Sequence, residues 1–279
     1  MTSPRESALL SPSELARLLA DRPDTVLLDV RWAVGAPPLD NDYRAGHIPG
    51  ARFVNLDTEL ADPPGRGGRH PLPSVPRLQK AFVRWGIEPG STVVVYDGGA
   101  SMAASRAWWV LRWAGVEDVR VLDGGFAAWV SRDGAVEAGE VKDGSGTALV
   151  RPGSLPVLDA AAAADLGARG RLVDVRAPER FRGEVEPMDP VAGHIPGAVN
   201  LPTTGNATTD GTFLPAERLA ARFAGLPSAD GPVGVYCGSG VTAAHTMLAL
   251  HESGVEAILY PGSWSEWLTD PSRPVATGA

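Results

Sequence analysis

The chain is poor in cysteine: among 279 residues only Cys237 carries a thiol. No internal disulfide can form, which fits a reducing cytoplasm. Cationic excess is absent as well. Lys and Arg number 25 against 33 Asp and Glu, a net charge of -8, which argues against nucleic acid or an acidic membrane as the main partner. No apolar run approaches the ~20 residues of a membrane span. Met1 to Glu6 (MTSPRE) has neither the basic region nor the apolar core of a secretory signal. What is present is ordinary for a globular protein: 44% apolar residues and a length that suits two domains.

The lone cysteine stands at a telling place. Val233-Gly234-Val235-Tyr236, after the turn signal Asp230-Gly231-Pro232, reads as a strand, and Thr242 to Ser253 reads as a helix closed by Gly254. Between them lies Cys237-Gly238-Ser239-Gly240-Val241-Thr242. Glycines at 238 and 240 let successive backbone N–H groups converge, and with the helix dipole these favour a thiolate at the loop's centre. The competing reading is a small apolar side chain closing a strand end.

The chain also repeats itself. Val26-Leu27-Leu28-Asp29-Val30-Arg31 is matched by Arg171-Leu172-Val173-Asp174-Val175-Arg176, and Gly46-His47-Ile48-Pro49-Gly50-Ala51 by Gly193-His194-Ile195-Pro196-Gly197-Ala198. Val94-Val95-Tyr96-Asp97-Gly98-Gly99 pairs with Gly234-Val235-Tyr236-Cys237-Gly238-Ser239, and Asp123-Gly124-Gly125-Phe126 with Pro261-Gly262-Ser263-Trp264. Four ordered matches about 140 residues apart mark a duplicated domain rather than a solenoid. In the first copy, strands are expected over 26–30, 52–55, 93–96 and 119–122, and helices over 13–20, 75–85, 103–114 and 126–131. This alternation predicts two α/β domains, each an open, mainly parallel sheet with helices on both faces. The Gly- and Ser-rich stretch 143–156 suits a linker, giving domains of 1–145 and 146–279. Ligands of such sheets bind beyond the carboxyl ends of the strands. Cys237 occupies such an end, whereas its counterpart Asp97 cannot act as a thiol, so only the second copy can carry cysteine chemistry.

Taken together, the duplicated Asp-Val-Arg and Gly-His-Ile-Pro-Gly-Ala segments, the Cys237 loop in one copy only and the Gly/Trp motif near each domain's end resemble the tandem-domain rhodanese-like sulfurtransferases. The resemblance spans nearly the whole chain. It implies two rhodanese-fold domains, the N-terminal one inactive and the C-terminal one catalytic, and sulfur transfer through a Cys237 persulfide without metal or organic cofactor. A small-molecule sulfur donor would load the cysteine, and cyanide, a small thiol or a thioredoxin-like protein would unload it. The loop Cys-Gly-Ser-Gly-Val-Thr is similar to the 3-mercaptopyruvate branch. Thiosulfate enzymes usually carry basic residues after the cysteine, where this chain has Gly238 and Ser239.

Resemblance also implies the other site residues: Gly238, Gly240, Val241 and Thr242 around the sulfur, Arg180 on the donor's acid group with help from Arg182, Trp264 as a pocket wall, and Ser239 relaying a proton with His47 and Asp40 or Asp42. One departure stands out. In the mercaptopyruvate branch a second arginine follows Arg180's segment, but Glu186-Pro187-Met188-Asp189 contains none.

Several residues have plainer readings. His194 sits in the same turn as His47 and is expected to be structural. Asp29 and Asp174 end strands in both copies and are expected to fix turns. Trp108, Trp109, Trp113 and Trp267 suit packing, and Thr242 serves equally as a cap. His245 and His251 lie six apart, which is not ligand spacing on one helix face. Two other classes compete with mercaptopyruvate transfer, namely thiosulfate:cyanide transfer and a non-catalytic sulfur-carrier or binding module. A cysteine phosphatase is excluded because Ala243 stands where such enzymes place the arginine that chelates phosphate.

Overall fold

Runs of four or five largely apolar residues that are buried along their whole length need a sheet covered on both faces. Val26–Asp29, Thr92–Tyr96 and Val233–Tyr236 are such runs. The computed structural model describes residues 7–227 and 231–278; the readings made on Met1 to Glu6 and on Asp230 lie outside them.

The chain divides into two compact units. The first comprises residues up to Asp62, Pro73–Leu155 and Thr208–Phe213, and the second Pro63–Leu72, Pro156–Ala207 and the chain from Leu214 onward. Each unit thus contains a short segment from the other copy's sequence.

In unit 1 the order is β1 (Leu9–Leu10), α1 (Pro12–Asp21), β2 (Val26–Asp29), α2 (Asp40–Ala45), β3 (Arg52–Phe53), α3 (Leu56–Glu59), α4 (Val75–Trp85), β4 (Thr92–Tyr96), α5 (Met102–Trp113), β5 (Asp118–Leu122) and α6 (Gly125–Val130). The strands form one parallel sheet in the order β1-β5-β4-β2-β3. Unit 2 holds α7 (Ala160–Ala168), β6 (Leu172–Asp174), α8 (Pro178–Phe181), β7 (Val199–Asn200), a 3-10 turn (Thr203–Asn206), α9 (Ala216–Phe223), β8 (Val233–Tyr236), α10 (Val241–Glu252), β9 (Ala257–Leu259) and α11 (Ser263–Trp267). Its parallel sheet runs β7-β6-β8-β9. The expected class, α/β with parallel sheets in both copies, is what the chain adopts. In the first copy the elements not foreseen are β1, α2 and α3, each too short to show a hydrophobic period.

Both cores are built the same way. In unit 2, Leu158, Leu172, Phe181, Ile195, Tyr236, Tyr260, Trp264 and Trp267 pack together, and in unit 1 Leu10, Leu15, Leu27, Ile48, Val94, Tyr96 and Trp129 do. Each central strand ends in a buried Tyr whose hydroxyl accepts a backbone N–H from the His-Ile turn: Ile48 to Tyr96 and Ile195 to Tyr236, both at 3.1 Å. Trp108 and Trp109 are buried and Trp109 stacks on Trp113, in keeping with packing roles.

The two histidines of these turns share one environment. His47 Nδ1 lies 2.9 Å from the Tyr43 carbonyl oxygen with its ring stacked on Tyr43. His194 Nδ1 lies 2.8 Å from the Phe181 carbonyl oxygen with its ring stacked on Phe181. His245 is buried in α10 beside Thr203 Oγ1 at 3.3 Å. Burial pushes its imidazole down to about 3, so it stays neutral in the folded chain.

Candidate active site

Backbone conformation builds the centre of the site. After β8 the chain turns through Gly240, whose φ of 79° lies in the left-handed region that glycine enters freely, and starts α10 at Val241. This turn aims the Gly240 N–H at Cys237 Sγ, 3.1 Å away, placing a donor where negative charge on sulfur is stabilised. The Cys237 N–H donates to Ser263 Oγ at 3.2 Å, and that hydroxyl donates to the Tyr260 carbonyl at 2.9 Å. Those bonds hold Ser263 at a φ of 54°, uncommon outside glycine; the first copy has Gly125 there, at φ 56°. Cys237 itself is only 2% exposed.

The duplicate loop in unit 1 reveals what this backbone is shaped to hold. Asp97 occupies the cysteine's place, and its carboxylate accepts N–H bonds from Gly99 at 2.9 Å, Ser101 at 3.0 Å, Ala103 at 3.0 Å and Ala104 at 3.3 Å. Burial pushes this carboxyl up, and the four N–H bonds pull against that rise. Such a nest takes an anion. In unit 1 the anion is a side chain of the loop itself. A cavity of about 590 Å³ in that unit, lined by Arg31, Trp32, Gly98, Phe126 and Val136 among others, therefore adjoins a loop without a nucleophile.

Charged residues gather beside the Cys237 loop. Arg180, on α8, donates to Glu186 from Nε at 3.1 Å and from Nη2 at 2.6 Å, and to Asp189 at 3.3 Å. Burial alone would raise Glu186, but the Arg180 bond and backbone N–H groups outweigh it and hold the carboxyl below its usual range. Behind them Arg176 grips Asp174 at 2.6 Å and reaches Glu186 at 3.3 Å, both side chains of the Asp174 pair being almost wholly buried. Two further residues come from the segment Pro63–Leu72. Arg69 forms an ion pair with Asp189, and His70 Nδ1 lies 2.8 Å from Ser239 Oγ. Among the described residues no group of three or more His, Cys, Asp or Glu is arranged to hold a metal ion.

A rhodanese-like domain model matches the chain twice, over residues 11–132 and 159–270. The chain belongs to the rhodanese-like sulfurtransferases. It is 46% identical over 98% of both chains to a Mycobacterium tuberculosis protein provisionally named thiosulfate sulfurtransferase SseB. It is 47% identical to a Pseudomonas aeruginosa protein provisionally named 3-mercaptopyruvate sulfurtransferase, over 97% of this chain and 98% of that one. Among solved structures it is similar to SseA of Escherichia coli, a 3-mercaptopyruvate sulfotransferase. The TM-score there is 0.80 at 33% identity, covering 93% of this chain and 100% of SseA.

Within this rhodanese-like frame, the expected site residues divide. Cys237, Gly238, Ser239, Gly240 and Val241 form one loop, and Arg180 lies beside it, its Nη2 3.6 Å from where a Cβ on Gly238 would stand. Thr242 lies in the first turn of α10, where its carbonyl accepts from Thr203 Oγ1 at 3.4 Å. Trp264 is fully buried, donates from its indole N–H to the Val191 carbonyl at 2.9 Å and lies under the Arg176 guanidinium, so it walls the core. Arg182 pairs with Glu184 at 2.7 Å and is 40% exposed; it does not join the Glu186 and Asp189 cluster.

The residues of the expected relay are divided between the units, His47, Asp40 and Asp42 in unit 1 and Ser239 in unit 2. Within unit 2, Ser239 Oγ is bonded to His70 Nδ1, and within unit 1 His47 is buried and held by Tyr43 in the same manner as His194 by Phe181. Asp40 pairs with Arg44 at 2.6 Å, and the backbone carbonyl of Asp42 accepts from Arg31 at 2.7 Å. A signal for His70 was present: it lies in the stretch Gly65-Arg66-Gly67-Gly68-Arg69-His70, whereas the second copy's stretch Thr208–Phe213 (TTDGTF) carries neither Arg nor His. Replacing His70 with Asn is expected to lower kcat/KM for a thiol donor by about 10²- to 10⁴-fold and to remove one limb of its pH profile. His47→Asn is expected to lower the melting temperature and leave the shape of that profile alone, and steady-state assays across pH will separate the two.

Proposed function

We propose that the chain transfers sulfur from 3-mercaptopyruvate, through a persulfide on Cys237, to cyanide, a small thiol or a thioredoxin-like protein. The Cys237 thiolate attacks the donor sulfur and forms the S–S bond as the C–S bond breaks, its electron pair leaving on carbon as the enolate of pyruvate. The donor's thiol proton passes by way of Ser239 and His70 to that carbon, releasing pyruvate and leaving Cys237 as an anionic persulfide. The acceptor then attacks the outer sulfur and regenerates the thiolate, a double displacement. The Gly240 N–H is the donor nearest this charge, and the loop's other N–H groups act with it as an oxyanion hole does on oxygen. Arg180 binds the donor's carboxylate through charge-assisted hydrogen bonds.

The Ser239 to His70 hydrogen bond is the observation that carries the choice of donor. A thiol donor brings a proton that must be moved, and thiosulfate brings none, so a serine and histidine beside the nucleophile suit mercaptopyruvate. The lone thiol is in keeping with a reducing cytoplasm, and no helix of the described residues is long and apolar enough to cross a membrane. Measuring kcat/KM for both donors with one acceptor tests the reading. Mercaptopyruvate is expected to be favoured about tenfold or more, a barrier difference of about 1.4 kcal/mol. A thiosulfate preference would assign the site to the other branch.

A further inference from the structure

We propose that Arg69 is the second guanidinium that grips the donor's carboxylate, standing in for the arginine missing at Met188. The proposal rests on the mercaptopyruvate reading and names a residue that determines donor binding within it.

Arg69 is delivered by a tight turn. Gly65 and Gly68 exchange backbone hydrogen bonds at 3.0 Å in both directions. Gly68 has a φ of 95°, and a Cβ there would fall 2.7 Å from Ser265 Oγ and 2.8 Å from the Gly262 carbonyl oxygen, so no other residue fits without displacing α11. The next N–H, that of Arg69, donates to Ser265 Oγ at 3.0 Å, and the Ser265 N–H donates to the Gly238 carbonyl at 2.9 Å. One serine therefore ties the Arg69 backbone to the residue after the nucleophile.

Its side chain converges with Arg180. Asp189 accepts from Arg69 Nη1 on one oxygen and from Arg180 Nη2 on the other. A methyl group built on Gly238 would come within 2.9 Å of Arg69 Nη2 and 3.6 Å of Arg180 Nη2. Both guanidiniums thus flank the residue next to Cys237, and among the described residues Arg69 Nη2 donates to no protein acceptor. Met188 contributes its backbone, an N–H donated to Glu186 at 3.0 Å, and is itself exposed.

Charge balance makes Arg69 decisive. Arg69, Arg176 and Arg180 face Asp174, Glu186 and Asp189. The cluster is neutral with Arg69 and negative without it, so its loss would turn the entry beside Cys237 against any carboxylate.

The single cysteine permits a test that needs no turnover. Iodoacetate and iodoacetamide alkylate Cys237 by the same displacement of iodide, and only the first carries a carboxylate. In Arg69→Gln the rate ratio of iodoacetate to iodoacetamide is expected to fall about tenfold or more, and the KM for 3-mercaptopyruvate to rise by a similar factor with kcat changed far less. Arg69→Lys, which keeps the charge and loses the planar fork, is expected to fall between. An unchanged ratio and an unchanged KM in Arg69→Gln would overturn the proposal. Failure of the unaltered protein to turn over 3-mercaptopyruvate would instead overturn the donor reading, and the alkylation ratio would still decide whether Arg69 receives carboxylates.

Discussion

Replacing Cys237 with Ser is expected to abolish sulfur transfer, with kcat falling on the order of 10⁴-fold or more, the scale of loss when a covalent nucleophile is removed. The hydroxyl is not ionised at neutral pH and cannot hold a sulfane sulfur. The structural cost should be small. Sγ accepts one backbone N–H, from Gly240, and a serine oxygen accepts the same bond. Unit 1 provides the precedent, since its equivalent loop folds around Asp97. Steady-state assays with both donors, alongside thermal unfolding of the variant, test this directly: lost activity with an unchanged melting temperature is the expected pair of results.

The largest expected effect on stability comes from Arg176→Ala. Asp174 is 0% exposed and Arg176 4%. The guanidinium donates to Asp174 from Nε and Nη2, to the Gly193 carbonyl and to Glu186. It also lies 4.7 Å from the centre of the Trp264 ring. Burial alone would push the arginine towards losing its proton, and the Asp174 carboxylate more than offsets that. Truncation strands a buried carboxylate and costs about 3–5 kcal/mol. For a unit of this size that corresponds to a fall in melting temperature of roughly 6–20 °C. The matching Arg31→Ala should cost less. Burial pushes Asp29, the partner of Arg31, up to about 6 even with the guanidinium present, so a stranded carboxyl there can take a proton near neutral pH. Calorimetry of the two variants should show the larger loss for Arg176; equal losses would mean that the pair in unit 2 is no more isolated from water than its copy.

How far the sequence reaches can be judged from particular residues. Parallel sheets in both copies were legible because Val93 to Tyr96 and Val233 to Tyr236 are apolar runs set between helix-length segments. The reading of Cys237 as a nucleophile rests on its copy being Asp97, which shows that the scaffold does not require a thiol. His70, which bonds Ser239 within unit 2, was not foreseen as a relay partner. His47 sits in a conspicuous motif, yet the repetition of that motif at His194 is the mark of a packing role, and both imidazoles are held by neighbouring carbonyls and aromatic rings. Arg69 and His70 escaped notice because they lie in a glycine turn without periodicity. Their partners, Asp189 and Ser239, are 120 and 169 residues away. Only the exchange of segments between the two units brings them together. Under the proposal above, Arg69 answers the absence of an arginine at Met188 from a part of the chain that no local pattern connects to Arg180.

In the proposed double displacement, Sγ of Cys237 is the atom on which sulfur is carried. Mass spectrometry of the intact protein after brief incubation with 3-mercaptopyruvate, without acceptor, tests it most directly. One added sulfur is expected, located on the peptide containing Cys237, removed by cyanide and absent from Cys237→Ser. An unmodified cysteine in protein that is releasing pyruvate would contradict it.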